Sequence, residues 1–467
     1  MKIMVNNLRL IIMLLVLPLL SSFSSRAAVG KLSVGAARVD ITPPINPQYP
    51  PSGKYAHERL NVRAIVLNNT VTRAALIAAD IADITTELWE MTAPQIAKEL
   101  DCPTENIVMS ATHAHSACPA GPPPPRFNDI NKEEISKAIM EAVRQAKGKL
   151  QPAKVSFGRG EAYLNANRDA ISEVTRLWTQ GTNPEGSSDK TLAVVLFVTQ
   201  DNQPIAGYMN YAMHPNNAYL SGITSADFPG AACCYIEKAF QNDMVMVFTQ
   251  GASGDQNPRW TRPAVNTLLS KSNLPISGFE KEREPIEYPL RKGVIPHGKL
   301  DAEVASNLER YIDALGIILG EEAIRIMSHM DNWQQDIRIW GIQKVISLPG
   351  RKRTTDAGRE GVPSVYAESE PIAIRLGMLG IGNIALSTID AEIYTRFGEQ
   401  LKKLSPMNNT VFVTLANGRT NSGYIITDSD YGKYTFQVLG NRIQPGHAET
   451  TIVNTLIQEI NEYINQK

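Results

Sequence analysis

Four apolar runs in this chain each stop at a cluster of chemistry-bearing side chains. "IVMSA" ends at His113 and His115, and "IAGYMNYAM" ends at His214. "MVMVFTQ" ends at Ser253, Asp255 and Asn257, and "IALSTID" ends at Asp390 and Glu392. Each run reads as a buried strand, and open α/β sheets place their sites where strands give way to loops. Several of these clusters are therefore expected to converge on one crevice. Helical segments separate the strands. "KEEISKAIMEAVRQAKGKL" and "EVASNLERYIDALGIILGEEAIRIMSH" repeat apolar residues every three to four positions, and "TTELWEMTAPQIAKEL" does so around a kinking Pro94. "FPGAACCYIEKAF", "AEIYTRFGEQLKKL" and "ETTIVNTLIQEINEYI" read as further helices. "TLAVVLFVTQ" and "IAGYMNYAMH" form a hairpin through "DNQP". "QDIRIWGIQKVISL" alternates and then meets "PGRKRTTDAGREGVP", a basic loop whose Arg351–Arg359 stretch contacts either an anionic substrate or only solvent. The predicted class is α/β (or α+β), a mixed β-sheet core flanked by helices with the active site at strand ends.

Charge narrows the function. Lys and Arg number 46 against 47 Asp and Glu, so no basic surface awaits a nucleic acid. A neutral or amphiphilic small molecule is the expected partner. At the N-terminus, Lys2 and Arg9 precede "LIIMLLVLPLL" and then "SSFSSRAA". This is the pattern of a Sec signal peptide over residues 1–27, cleaved after Ala27, leaving 28–467 as one secreted or periplasmic domain. No later stretch is long and apolar enough for a membrane span. Of the cysteines, Cys102 and Cys118 are a possible bridge, while Cys233 and Cys234 read as buried thiols in a helix.

His113 and His115 stand one residue apart. In an extended chain alternate side chains share a face, so both imidazoles would point the same way. With His214 and a carboxylate such as Glu392 they make a catalytic zinc set with an open position. The plainer reading is that such histidines cap strands and satisfy buried carbonyls, and that "GASGDQNP" is only a tight turn. His57, His297, His329 and His447 lack comparable context and are expected to be surface or structural residues.

Taken in order, "GAARVDITPP", "MSATHAHS", "NANRDA", "YAMHP", "SADFPG", "GASGDQNP", "DAEIYT" and "NSGYIITDSDY" resemble the landmarks of the neutral/alkaline (non-lysosomal) ceramidase family, from about Lys31 onward. The resemblance implies one Zn²⁺ per chain, held by His113, His214, Glu392 and Tyr424. It places His115 and Arg168 at the substrate, and Asn257 and Asp255 in the catalytic loop. The implied reaction is hydrolysis of the amide of a ceramide-like N-acyl lipid through a tetrahedral intermediate. Zinc lowers the pKa of bound water to about 7 and polarises a carbonyl. His115 or Arg168 would stabilise the oxyanion, and His115 would return a proton to the amine.

Departures from the pattern are as informative. Where the family carries a serine nucleophile this chain has Asn257, which cannot form an acyl-enzyme and leaves the attack to metal-activated water. "HSACPAGPPPP" replaces the family's "HSGPGG" turn, and Phe436, beside Tyr434, falls near the position of a second tyrosine. The chain is also expected to lack the family's immunoglobulin-like C-terminal domain. These differences admit a more polar N-acyl or ester substrate such as an acylated glycan. They also admit a non-catalytic protein that binds an envelope lipid or glycan.

Overall fold

The computed structural model describes residues 28–119, 131–173, 175–219, 221–259, 302–355 and 361–466. The expected signal peptide, the proline run after Pro119, His297, most of the polar stretch after Pro258 and part of the basic loop lie outside these residues.

The chain opens with β1 (Val29–Lys31) and a meander of β2 (Ser33–Asp40), β3 (Asn61–Asn68) and β4 (Arg73–Ala79). Helix α1 (Thr86–Leu100) crosses to β5 (Ile107–Ala111), which pairs parallel to β4. Helix α2 (Lys132–Gly148) leads to β6 (Gln151–Glu161), then β7 (Asn165–Ile171) and β8 (Trp178–Asn183). The expected hairpin is β9 (Thr191–Thr199) with β10 (Pro204–Tyr211). Helix α3 (Asp227–Ala239) crosses from β10 to the parallel β11 (Val245–Gln250), and β12 (Gln256–Pro258) follows. Helix α4 (Ala302–Ser328) precedes a long hairpin of β13 (Asp336–Arg353) and β14 (Tyr366–Ile381), then β15 (Ile384–Ile389). Helix α5 (Thr395–Leu404) crosses to the parallel β16 (Asn409–Val413). The short α6 (Phe436–Gly440) and α7 (Ala448–Asn465) close the fold.

These strands form an eight-stranded sheet, β11-β10-β9-β6-β2-β3-β4-β5, a five-stranded sheet, β1-β13-β14-β15-β16, and a small sheet, β12-β7-β8. Side-chain alternation explains how the two large sheets stack. In β9, Val195 and Phe197 point into a core shared with Leu379, Leu386 and Val413 of the five-stranded sheet. Their neighbours Val194 and Leu196 pack instead with Leu315 and Leu319 of α4. Likewise Ile65 and Leu67 of β3 face the other sheet, while Val62 and Val66 face α1 and α2. The outer face of the five-stranded sheet is covered by α5 and α7. The result is four layers, helices–sheet–sheet–helices, the mixed core expected from sequence. Strands buried on both faces must be apolar on both, which is why "TLAVVLFV" shows no polar alternation.

Two local readings change. Residues 349–353, read as the start of a loop, continue β13 and pair with β14 as far as Arg353–Tyr366. A register shift between Leu348 and Gly350 lets Pro349 sit in the ladder without donating to it. Arg351 is buried there, its guanidinium 3.9 Å from the Tyr366 ring centroid and 4.5 Å from that of Tyr431. The possible Cys102–Cys118 bridge is absent, and all four cysteines are free.

Candidate metal centre

Three of the crossovers end on the same problem. The parallel pairs β4/β5, β10/β11 and β15/β16 release their chains at one end of the stacked sheets, and the predicted clusters emerge there. The tie between them is Gln250, the fully buried last residue of β11. Its side-chain amide donates to the carbonyls of Thr112 (3.1 Å) and Met213 (2.9 Å), one residue before each of His113 and His214.

His113 does not lie on an extended strand. β5 stops at Ala111, and His113 adopts a left-handed backbone with φ of 67°. For a non-glycine residue this costs about 1–2 kcal/mol. Its N–H is held by the carbonyl of Ile81 at 3.0 Å and its Nδ1 by that of Ala82 at 2.7 Å. The expected convergence of the two imidazoles therefore occurs by a different route, a tight turn rather than a shared strand face. His113 Nε2 and His115 Nε2 are 3.3 Å apart, with ring planes crossing at 81°.

His214 is likewise held through Nδ1 by main-chain carbonyls, without a left-handed backbone. Its Nδ1 lies 2.9 Å from the Ser253 carbonyl and 3.1 Å from that of Gln256, and its Nε2 lies 3.2 Å from Glu392 Oε2. Glu392 Oε2 is also 3.4 Å from His113 Nε2. Because carbonyls only accept, Nδ1 of both His113 and His214 carries a proton. Against its burial, Glu392 raises the pKa of His113, so a metal would have to displace the Nε2 proton of that ring to use its lone pair. Burial, with the neighbouring imidazoles, holds His115 well below the usual histidine range. Burial and the Arg168 charge take His214 down to about 3. Burial opposes ionisation of Glu392, but His113 and Arg419 outweigh it and hold the carboxyl well below its usual range.

This donor set fits a metal ion. Tetrahedral zinc with bonds of about 2.0–2.1 Å has ligand–ligand edges of about 3.3–3.4 Å. Two of the separations just given, His214 Nε2–Glu392 Oε2 at 3.2 Å and Glu392 Oε2–His113 Nε2 at 3.4 Å, match those edges.

The remaining predicted residues stand at graded distances. The Tyr424 ring lies 6.5 Å from that of His214, and burial and the Glu392 charge keep its phenol protonated. Arg168 sits with its guanidinium 5.2 Å from the Tyr424 ring centroid, donating to the Gly254 carbonyl and, at 3.4 Å, to Asn257 Oδ1. Asp255 is set back. Its carboxylate accepts from Thr395 N (2.8 Å) and Asn167 Nδ2 (3.0 Å), and its carbonyl accepts from Arg168 N at 2.8 Å. These bonds brace the loop. Phe436 packs against Tyr424, ring centroids 5.8 Å apart. His57 is buried between Ser225 and the Glu309 carbonyl, and His329 and His447 are exposed, as surface or structural residues would be.

Two residues were missed from sequence. Asp83 groups with His113 and Glu392 as a second set of metal-capable atoms. Arg419 bonds Glu392 through Nη2 and approaches Asp83 Oδ1 at 3.5 Å. The signal for Asp83 was present, because "AALIAADIAD" is a fifth apolar run ending in carboxylates. Arg419 had none, since its position depends on how two distant strand ends meet.

Comparison with known proteins is consistent with this geometry. Residues 33–274 match the family described as neutral/alkaline non-lysosomal ceramidase, N-terminal. The neutral ceramidase of Drosophila pseudoobscura pseudoobscura is 24% identical over 272 residues, 52% of this chain and 38% of that protein. The match thus spans well under half of that relative's length. A solved ceramidase complexed with C2 has the same fold, with a TM-score of 0.65 at 16% identity over 93% of this chain and 76% of that one. The neutral ceramidase of Pseudomonas aeruginosa gives 0.62 at 16% identity, covering 93% and 74%. Motif order, fold and sequence match agree, and the chain belongs to the neutral/alkaline non-lysosomal ceramidase family.

Proposed function

We propose that this protein is a zinc-dependent amidohydrolase acting on a ceramide-like N-acyl substrate. The observation that carries the reading is the set of inward-facing donor atoms at zinc-ligand spacing, two of them oriented by main-chain carbonyls. His113, His214 and Glu392 are the holding set, with Tyr424 beside them. When bound, zinc would supply a nucleophile from water at neutral pH and polarise the scissile carbonyl.

The chain's own groups divide the rest. His115, kept neutral, has Nε2 facing the same space and is placed to take a proton and pass it to the departing amine. Arg168 puts a buried positive charge where the oxyanion develops. Asn257 Oδ1 accepts from Arg168 and, at 3.1 Å, from Asn216 Nδ2, so its amide N–H₂ turns the other way and can donate to the substrate. With an amide at this position, no side chain of the loop needs to carry the acyl group. The leader expected over residues 1–27 makes this an exported enzyme. No described helix is long and apolar enough to cross a membrane.

Elemental analysis of the purified protein tests the reading, beside His113→Ala and turnover of an N-acyl sphingoid substrate. About one zinc per chain, lost in the variant, and activity abolished by chelation and restored by zinc are expected. Wild-type protein that stays metal-free when zinc is supplied refutes it.

A further inference from the structure

A cleft of about 850 Å³ is lined in part by Arg419 but by none of His113, His115, His214 and Glu392. Its walls carry six cationic side chains, Arg351, Lys352, Arg353, Arg375, Arg419 and Arg442, against two carboxylates, Glu370 and Asp390. Two of the cations are committed elsewhere. Arg351 lies between two tyrosine rings and donates to the carbonyls of Asn441 and Val438, and Arg419 holds Glu392 and Asp83. Asp390 is occupied by the backbone N–H of Arg375 at 3.0 Å. The other four cations have no carboxylate at ion-pair distance among the described residues, and of these Arg375 has its guanidinium 5.9 Å from the Trp89 ring centroid. Two guanidinium nitrogens in the cleft wall, Arg375 Nε and Arg419 Nη1, are buried without an acceptor. Buried donors are almost always satisfied, and like charges drawn from three segments repel one another unless something negative lies between them.

We propose that this cleft is an anion site that takes the phosphate of a small molecule or of a lipid headgroup. Arginine forks match phosphate oxygens two at a time, and several unpaired cations suit a multiply charged oxyanion better than a single carboxylate. The cleft is far larger than one ion, so the phosphate arrives on a body that fills the rest, within the usual size range of ligand clefts. Val345, Ile372 and Leu439 offer that body an apolar wall.

The test is calorimetric titration of inorganic phosphate into the full chain and into the Arg353→Gln/Arg442→Gln double variant, at low and moderate salt. Beside it, both proteins are sedimented with phosphatidylglycerol and with phosphatidylcholine vesicles. Saturable phosphate binding, weakened at least ~tenfold in the double variant and further by salt, is expected. Phosphate binding without vesicle binding assigns a soluble source. Phosphatidylglycerol-selective sedimentation that the double variant loses assigns a headgroup. Neither form of binding, or binding that the variant retains in full, overturns the site. Among the described residues neither replaced side chain makes a hydrogen bond or ion pair, so the thermal midpoint should hold. If it does not, Lys352→Gln with roughly a threefold loss serves instead. His113→Ala protein, impaired at the metal centre, should bind phosphate as the wild type does, so failure of this site and failure of the zinc reading are separable.

Discussion

Helix α7 carries a carboxylate where its core stripe calls for an apolar side chain. Ile452, Leu456, Ile460 and Tyr463 face the five-stranded sheet, and Glu459 shares that face at 0% exposure. Neither of its oxygens has a hydrogen-bond partner. Burial, only partly offset by the Lys344 charge, lifts its pKa from 4.5 to about 8. Between those values the native state holds a proton that the unfolded chain releases. The associated stability is therefore complete below about pH 4.5 and is lost as the pH rises through about 8. The full span is about 3.5 pH units, which at about 1.36 kcal/mol per unit is at most about 5 kcal/mol. Glu459→Gln keeps the shape and removes the titration. Near pH 5 the two proteins should be about equally stable, and by about pH 8 the variant should lead by up to about 4 kcal/mol. Urea unfolding across that range measures the difference. Trp340, stacked on Tyr463 at 6.3 Å, is a fluorescent probe close to the site. A wild-type-minus-variant difference that does not change with pH would show the carboxylate ionised and hydrated in the native state, and the burial argument would fail.

Two further perturbations probe the frame and the site. Arg63 is buried with Asp80 Oδ2 at 3.0 Å and Glu237 Oε1 at 3.2 Å, tying β3 to the end of β4 and to α3. Arg63→Met leaves buried Asp80 without its cation and Glu237 with only the half-exposed Arg38, and should cost about 3–5 kcal/mol by urea unfolding, and an unmoved midpoint would contradict it. Asn257→Ala should lower turnover of the N-acyl substrate by roughly ten- to a hundredfold with zinc content unchanged, as for loss of one positioned donor. Full activity in that variant would remove Asn257 from the substrate's contacts.

Much of the frame was legible because its signals are local. The "DNQP" turn announced the β9–β10 hairpin, and runs such as "IVMSA" and "IALSTID" could be read as buried strands. The ends of those runs led to His113, His214 and Glu392, which the structure brings together. What escaped depends on contacts between distant segments. A proline and a glycine ordinarily end a strand, and only the register shift opposite β14 lets β13 pass through Pro349 and Gly350. The left-handed turn at His113 follows from the Ile81 and Ala82 carbonyls, which no neighbour in sequence supplies. Asp255 was expected in the catalytic loop from the resemblance alone. Its bonds to Thr395 and Asn167 show it holding α5 and β7 in place.

The groups that aim the imidazoles are almost all main-chain. Ala82, Ser253 and Gln256 contribute only their carbonyls to the two Nδ1 atoms, and Pro215 accepts the backbone N–H of His115. A carbonyl keeps its direction whatever side chain its residue carries, provided the strand ends stay in register. Side chains around the centre can therefore change widely while the donor set keeps its spacing. That is a physical reason for a fold of this kind to persist at 16% identity. The exceptions are Gln250, whose amide joins the two histidine-bearing ends, and Arg419, which orients Glu392. These act through side-chain geometry that a substitution cannot reproduce, so the tolerance of the surrounding shell should stop at them.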